Sequence, residues 1–134
     1  MYGYMLQDWF TARLASSQAD LIQSESDWMS FQPYQDIIFW LEATSVTLDG
    51  ATNIQVSYET SPTKDNSLFL PMTAAEVLTA PTTQPTITKV LLSQNPDVPL
   101  ARWVRWRIAV TGTPTTEWGL CFRIHCAANA VGVL

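Results

Sequence analysis

Apolar and polar residues alternate along most of this chain, and Pro or Gly breaks the alternation every 8–15 residues or so. Residues 51–60 give the plainest case: Ile54, Val56 and Tyr58 alternate with Gln55, Ser57 and Glu59. A period of two marks a half-buried strand. In residues 101–111, Val104, Trp106, Ile108 and Val110 share one face, while Trp103, Arg105, Arg107 and Ala109 share the other. Residues 117–126 put Trp118, Leu120, Phe122, Ile124 and Cys126 on one side, with Arg123 and His125 opposite. Residues 35–46 turn Phe39 and Leu41 inward and Ile38, Trp40, Glu42 and Thr44 outward. Weaker strand signals cover residues 7–15, 20–24, 28–31, 67–72 and 86–93, whereas 73–77 reads as a helical turn or loop.

These segments predict about seven to nine short strands and no long helix, hence an all-β fold: an antiparallel β-sandwich of jelly-roll type. Asp49-Gly50 is a hairpin signal. Gly112 to Thr116 predicts a second hairpin, joining residues 101–111 to 117–126. Phe39, Leu41, Ile54, Val56, Tyr58, Val104, Trp106, Ile108, Leu120, Phe122 and Ile124 form the expected core. At about 1.5–3 kcal/mol for each large side chain buried, that core needs neither disulfide nor metal. The length of 134 residues predicts a single domain over 1–134, with residues 1–6 and 127–134 as docking tails.

Composition narrows the reading. Only 14% of residues are charged, against 47% hydrophobic, with 16 Thr and six Trp. Such a chain is too apolar for disorder and too poor in Lys and Glu for a coiled coil. A net charge of −5 argues against direct nucleic-acid binding. No apolar run reaches the ~18–20 residues of a membrane span, and the first ten residues do not read as a signal peptide. A soluble chain made in a cytoplasm is the expectation.

Candidate chemistry is sparse. The single His, scattered glycines and absence of a Gly-x-Ser-x-Gly elbow leave no nameable nucleophile–base set, so no enzyme activity, catalytic residue or cofactor is expected. Cys121, His125 and Cys126 lie on one predicted strand. Cys121 and His125 would sit roughly 13 Å apart and the two thiols roughly 16 Å apart, too far for a shared metal or a disulfide.

What remains are candidate contact residues. Trp103, Arg105 and Arg107 project from one strand face and Trp40 from another, and Trp and Arg are enriched at interface hot spots. Either Arg could instead pair with Glu42 or Glu59 across strands. Tyr2 and Tyr4 near one end, and Val131, Val133 and Leu134 at the other, are apolar enough to dock on a neighbour by strand addition.

Residues 34–45 ("Y..I.F.LE.TS"), 54–62 ("I.V.YETSP") and 100–112 ("L.RWVRWRI...G") resemble small β-sandwich virion proteins from the structural gene clusters of tailed bacteriophages. The resemblance spans roughly residues 28–126. It implies a capsid-decoration or minor head/tail accessory subunit, made in the bacterial cytoplasm and residing in the virion. Its partners would be the major capsid protein or other virion subunits, with homo-oligomer or lattice contacts, and neither membrane nor nucleic acid. Residues 102–105 are also similar to discoidin-type and carbohydrate-binding sandwiches. The alternative is therefore a module that binds host-surface or cell-wall glycan, with Trp40 and Trp103 as stacking platforms.

Overall fold

A computed structural model describes residues 2–79, 86–91 and 98–130, with residues 86–91 described as backbone. The described residues form ten strands: β1 (Tyr2–Ala15), β2 (Asp20–Ile22), β3 (Met29–Ser30), β4 (Tyr34–Thr47), β5 (Asn53–Ser61), β6 (Leu70–Pro71), β7 (Glu76–Leu78), β8 (Thr86–Leu91), β9 (Trp103–Thr111) and β10 (Glu117–Ala130). Two single 3-10 turns, Glu25–Asp27 and Asn66–Leu68, are the only helical pieces among them. None of the described helical segments is long and apolar enough to cross a membrane.

One sheet has the order β1-β10-β4-β8. In the other, β9 lies between β5 and the short strands β2 and β3, and β6 and β7 line the far side of β5. Every pairing is antiparallel. The sheets pack face to face as a β-sandwich. Phe39 of β4 stacks on Tyr58 of β5 with ring centroids 4.0 Å apart, and Trp106 of β9 meets Phe122 of β10 edge-on at 4.9 Å. All eleven predicted core residues are buried between the sheets, joined by Ile37, Met72, Phe31 and Trp118.

Neither predicted hairpin forms. β4 and β5 belong to opposite sheets, as do β9 and β10, so the turns after Thr47 and Thr111 are arches across the core. Strand parity cannot distinguish the two, because an apolar face meets the core either way. The arches are tied together: Asp49 accepts hydrogen bonds from the Thr116 hydroxyl (2.6 Å) and from the backbone N–H groups of Thr116 (2.8 Å) and Glu117. Gly112 has φ +89°, and a Cβ there would lie 2.9 Å from the Thr52 nitrogen. Left-handed backbone and close packing both call for Gly at that corner.

Bulges explain where the alternation fails. In β4 four residues, Thr44 to Thr47, span three residues of β10, Gly119 to Cys121, with Ser45 at φ +54°. Inward positions are therefore Ile37, Phe39, Leu41 and Ala43 before the bulge, and Val46 and Leu48 after it. β1 carries two such shifts, between Met5 and Gln7 and between Gln7 and Phe10. It is also longer than its expected 7–15 stretch, and residues within 73–77 contribute to β7 rather than to a helical turn.

Gly119 packs β1 against β10. A Cβ there would fall on the Ala12 carbonyl oxygen, 2.9 Å from its carbon and 3.2 Å from the Arg13 Cα. Backbone atoms cannot swing aside as a side chain can, so Gly119→Ala should push the strands apart and cost about 1–3 kcal/mol, read as a lowered melting temperature. An unchanged melting temperature would show that β1 can shift freely.

Candidate functional site

The outer face of the β5–β9 sheet carries Trp103, Arg105 and Arg107 on one side of β9, as parity predicts. Their exposures differ sharply. Arg105 is only 2% exposed, which corrects its placement among open contact residues. The segments around residues 23–28 and 66–69 cover it. Its Nε donates to Glu59 Oε1 at 2.8 Å and its Nη1 to Asn66 Oδ1 at 2.6 Å. The guanidinium lies 3.9 Å from the Phe69 ring centroid and 4.8 Å from that of Trp28. Its hydrogen-bonding and stacking capacity is met within the chain, so no neighbour is needed to pair it.

Arg107 is half-exposed, bonds Asp20 and approaches Glu59 Oε2 at 3.5 Å. The Asp20 hydrogen bond, against some desolvation, raises its already high pKa. Glu59 is thus the cross-strand partner of both arginines, while Glu42 pairs with Arg123 instead. Trp103 stays half-buried at the end of β9, with Lys64 Nζ 4.6 Å and the Arg102 guanidinium 5.3 Å from its ring centroid.

On the other sheet, Trp40 is half-buried on the outer face, opposite His125 of β10. Beside them Glu42 bonds Arg123, and that bond holds the Glu42 carboxyl below its usual range. The Arg123 guanidinium sits 4.8 Å from the Trp9 ring centroid, and His125 Nε2 is 3.8 Å from Glu42 Oε2. A shallow depression is lined by Gly3, Tyr4, Met5, Trp40, His125 and Ala127.

Tyr2 and Tyr4 belong to β1, where they pair with Ala128 and Cys126 of the same chain. Tyr4 shares a hydroxyl–hydroxyl hydrogen bond with Tyr34, the main reason the Tyr34 pKa is raised to about 12. Tyr2 remains 55% exposed, edge-on to Tyr34. Val131, Val133 and Leu134 lie outside the described residues.

Exposed Trp9 (44%), Met5, Leu68, Leu70 and Val77 were not singled out by the sequence pattern. The β1 bulges scramble the parity that would have placed Trp9, and the other edge segments are too short to show a period. Among the described residues no group of three or more His, Cys, Asp or Glu is arranged to hold a metal ion. Cys121 and Cys126 are free thiols on β10. Cys126 faces the core, and burial pushes its pKa up to about 12.

The outer faces of the two sheets carry half-exposed or exposed aromatic side chains with cations beside their rings. No protein-family model and no curated protein sequence matches the chain. Among solved structures, a chain in the structure of infectious bursal disease virus Gx strain is similar over 99% of this chain, with a TM-score of 0.53 and 10% identity. The match spans 32% of that longer chain, about a third of its length. At that identity the likeness is one of fold.

Proposed function

We propose that this β-sandwich is a structural subunit of a virus particle, specifically a bacteriophage capsid-decoration or minor head/tail accessory protein. The observation that carries the reading is the fold likeness to a chain of a virus structure over 99% of the present chain. Surface composition supports it. Tyr2, Met5 and Trp9 leave one edge strand with exposed apolar side chains that an adjoining subunit would cover. The bulges of β1 interrupt its hydrogen-bonding edge, which favours contact through side chains over long strand addition.

Binding only to assembled shells would stabilise them by mass action, by about 2.7 kcal/mol for a ligand at 100 times its Kd. Mixed with undecorated shells of the parent particle, the protein should co-sediment and raise the temperature at which they disrupt. A protein that stays in the supernatant as a monodisperse monomer would overturn the reading.

A further inference from the structure

We propose that Trp103, Lys64 and Arg102 form a binding site for a carboxylated sugar ring. The inference goes beyond a virion role and stands on different residues from the β1 edge.

The strand register gives the half-exposed Trp103 indole no bulky neighbour on the sheet, and its cover is two exposed cations. The residues paired with Trp103 on its two neighbouring strands are Ser61 of β5 and Ser30 of β3. Both are small, so neither side of Trp103 carries a bulky cross-strand neighbour. Ser61 is buried, its hydroxyl donating to the Thr63 carbonyl at 2.6 Å, while Ser30 is exposed. An indole face from which the cations have moved suits the C–H-rich face of a pyranose, with Ser30 as its cross-strand neighbour on β3.

Charge selects the kind of sugar. Lys64 and Arg102 both approach the Trp103 ring, and neither has a carboxylate within ion-pair distance among the described residues. The other described arginines, Arg13, Arg105, Arg107 and Arg123, all have one. Asp65, next in sequence to Lys64, is turned to Ser67, accepting from its N–H at 3.0 Å and its hydroxyl at 2.8 Å. On a chain of net charge −5, this leaves two cations beside an aromatic platform without a paired acid among the described residues. Both cationic side chains are exposed, and an exposed cation–π contact is weak. Either can leave the ring to meet a carboxylate, where a charge-assisted hydrogen bond is stronger. A neutral sugar would use the indole and leave the cations idle.

The experiment is calorimetric titration of the whole protein with an oligogalacturonate, its neutral galactose counterpart and poly-glutamate. Binding is expected for the acidic sugar, at least tenfold weaker for the neutral sugar and for the acidic peptide. Trp103→Ala and the double variant Lys64→Gln/Arg102→Gln should each weaken it tenfold or more. The double variant changes only exposed side chains, so it tests the site without risk to the core. Equal binding of poly-glutamate, equal binding of the neutral sugar, no binding at millimolar concentration, or indifference to the double variant would each overturn the proposal. Shell co-sedimentation reads the virion role separately, so either conclusion can fail alone.

Discussion

Trp106→Ala should cost about 3–5 kcal/mol, the range for truncating a large buried aromatic. For a chain of this size that lowers Tm by roughly 10–25 °C. Trp106 is 2% exposed at the centre of the sandwich. Its ring meets Phe122 of β10 edge-on at 4.9 Å and Phe10 of β1 at 5.9 Å, so truncation removes contacts to two strands of the facing sheet. Its indole Nε1 donates to Gln7 Oε1 at 3.0 Å. Gln7 sits between the two bulges of β1, so this bond also helps fix the irregular edge strand.

Trp103→Ala, three residues earlier on the same strand, supplies the control. Trp103 faces outward, half-exposed, and its loss should lower subunit stability by less than about 1 kcal/mol, as surface changes do. Thermal melts of the two variants check the assignment. Equal losses would show that parity has misplaced the faces of β9.

That contrast marks what parity makes legible. In β5, β9 and β10, a period of two is imposed by one wet and one dry face, and each inward residue named from the sequence is buried except Val110, at the end of β9, which is half-buried. Parity does not say which sheet a strand joins. β9 and β10 each present an apolar face whether they lie side by side or across the core, and only the register shows them apart. Nor does it survive insertions: one extra residue around Ser45 moves the inward set from Leu41 and Ala43 to Val46 and Leu48.

The candidate site was legible in a similar, partial way. Trp103, Arg105 and Arg107 do share a strand face, and Trp40 does face outward. Side of sheet, however, is not exposure. Arg105 is covered by segments with no period to announce them: a 3-10 turn leading to Trp28 and another leading to Phe69. Lys64 escaped notice because only the folded loop brings it to Trp103, 39 positions later in sequence.

The second large effect is expected at Arg105. Arg105→Ala should cost about 3–5 kcal/mol, because it strands a buried carboxylate rather than merely deleting a contact. Glu59 is 4% exposed and loses its 2.8 Å partner; Arg107, at 3.5 Å and shared with Asp20, compensates only in part. Trp28 and Phe69 lose the group on which they both stack, so their cover over the sheet should loosen with it. Arg105→Lys would keep the charge but not the planar fork that serves Glu59 and Asn66 together, and should recover only part of the loss. Replacing both partners separates charge from packing. Arg105→Met with Glu59→Met leaves no buried ion, and Arg107 keeps Asp20. The double variant should return to within about 1 kcal/mol of the parent, since apolar replacement of a buried pair is often neutral. Urea unfolding with constant m values reads all four proteins. A loss under 1 kcal/mol for Arg105→Ala, or a double variant as unstable as Arg105→Ala, would overturn the account of a stranded Glu59 charge.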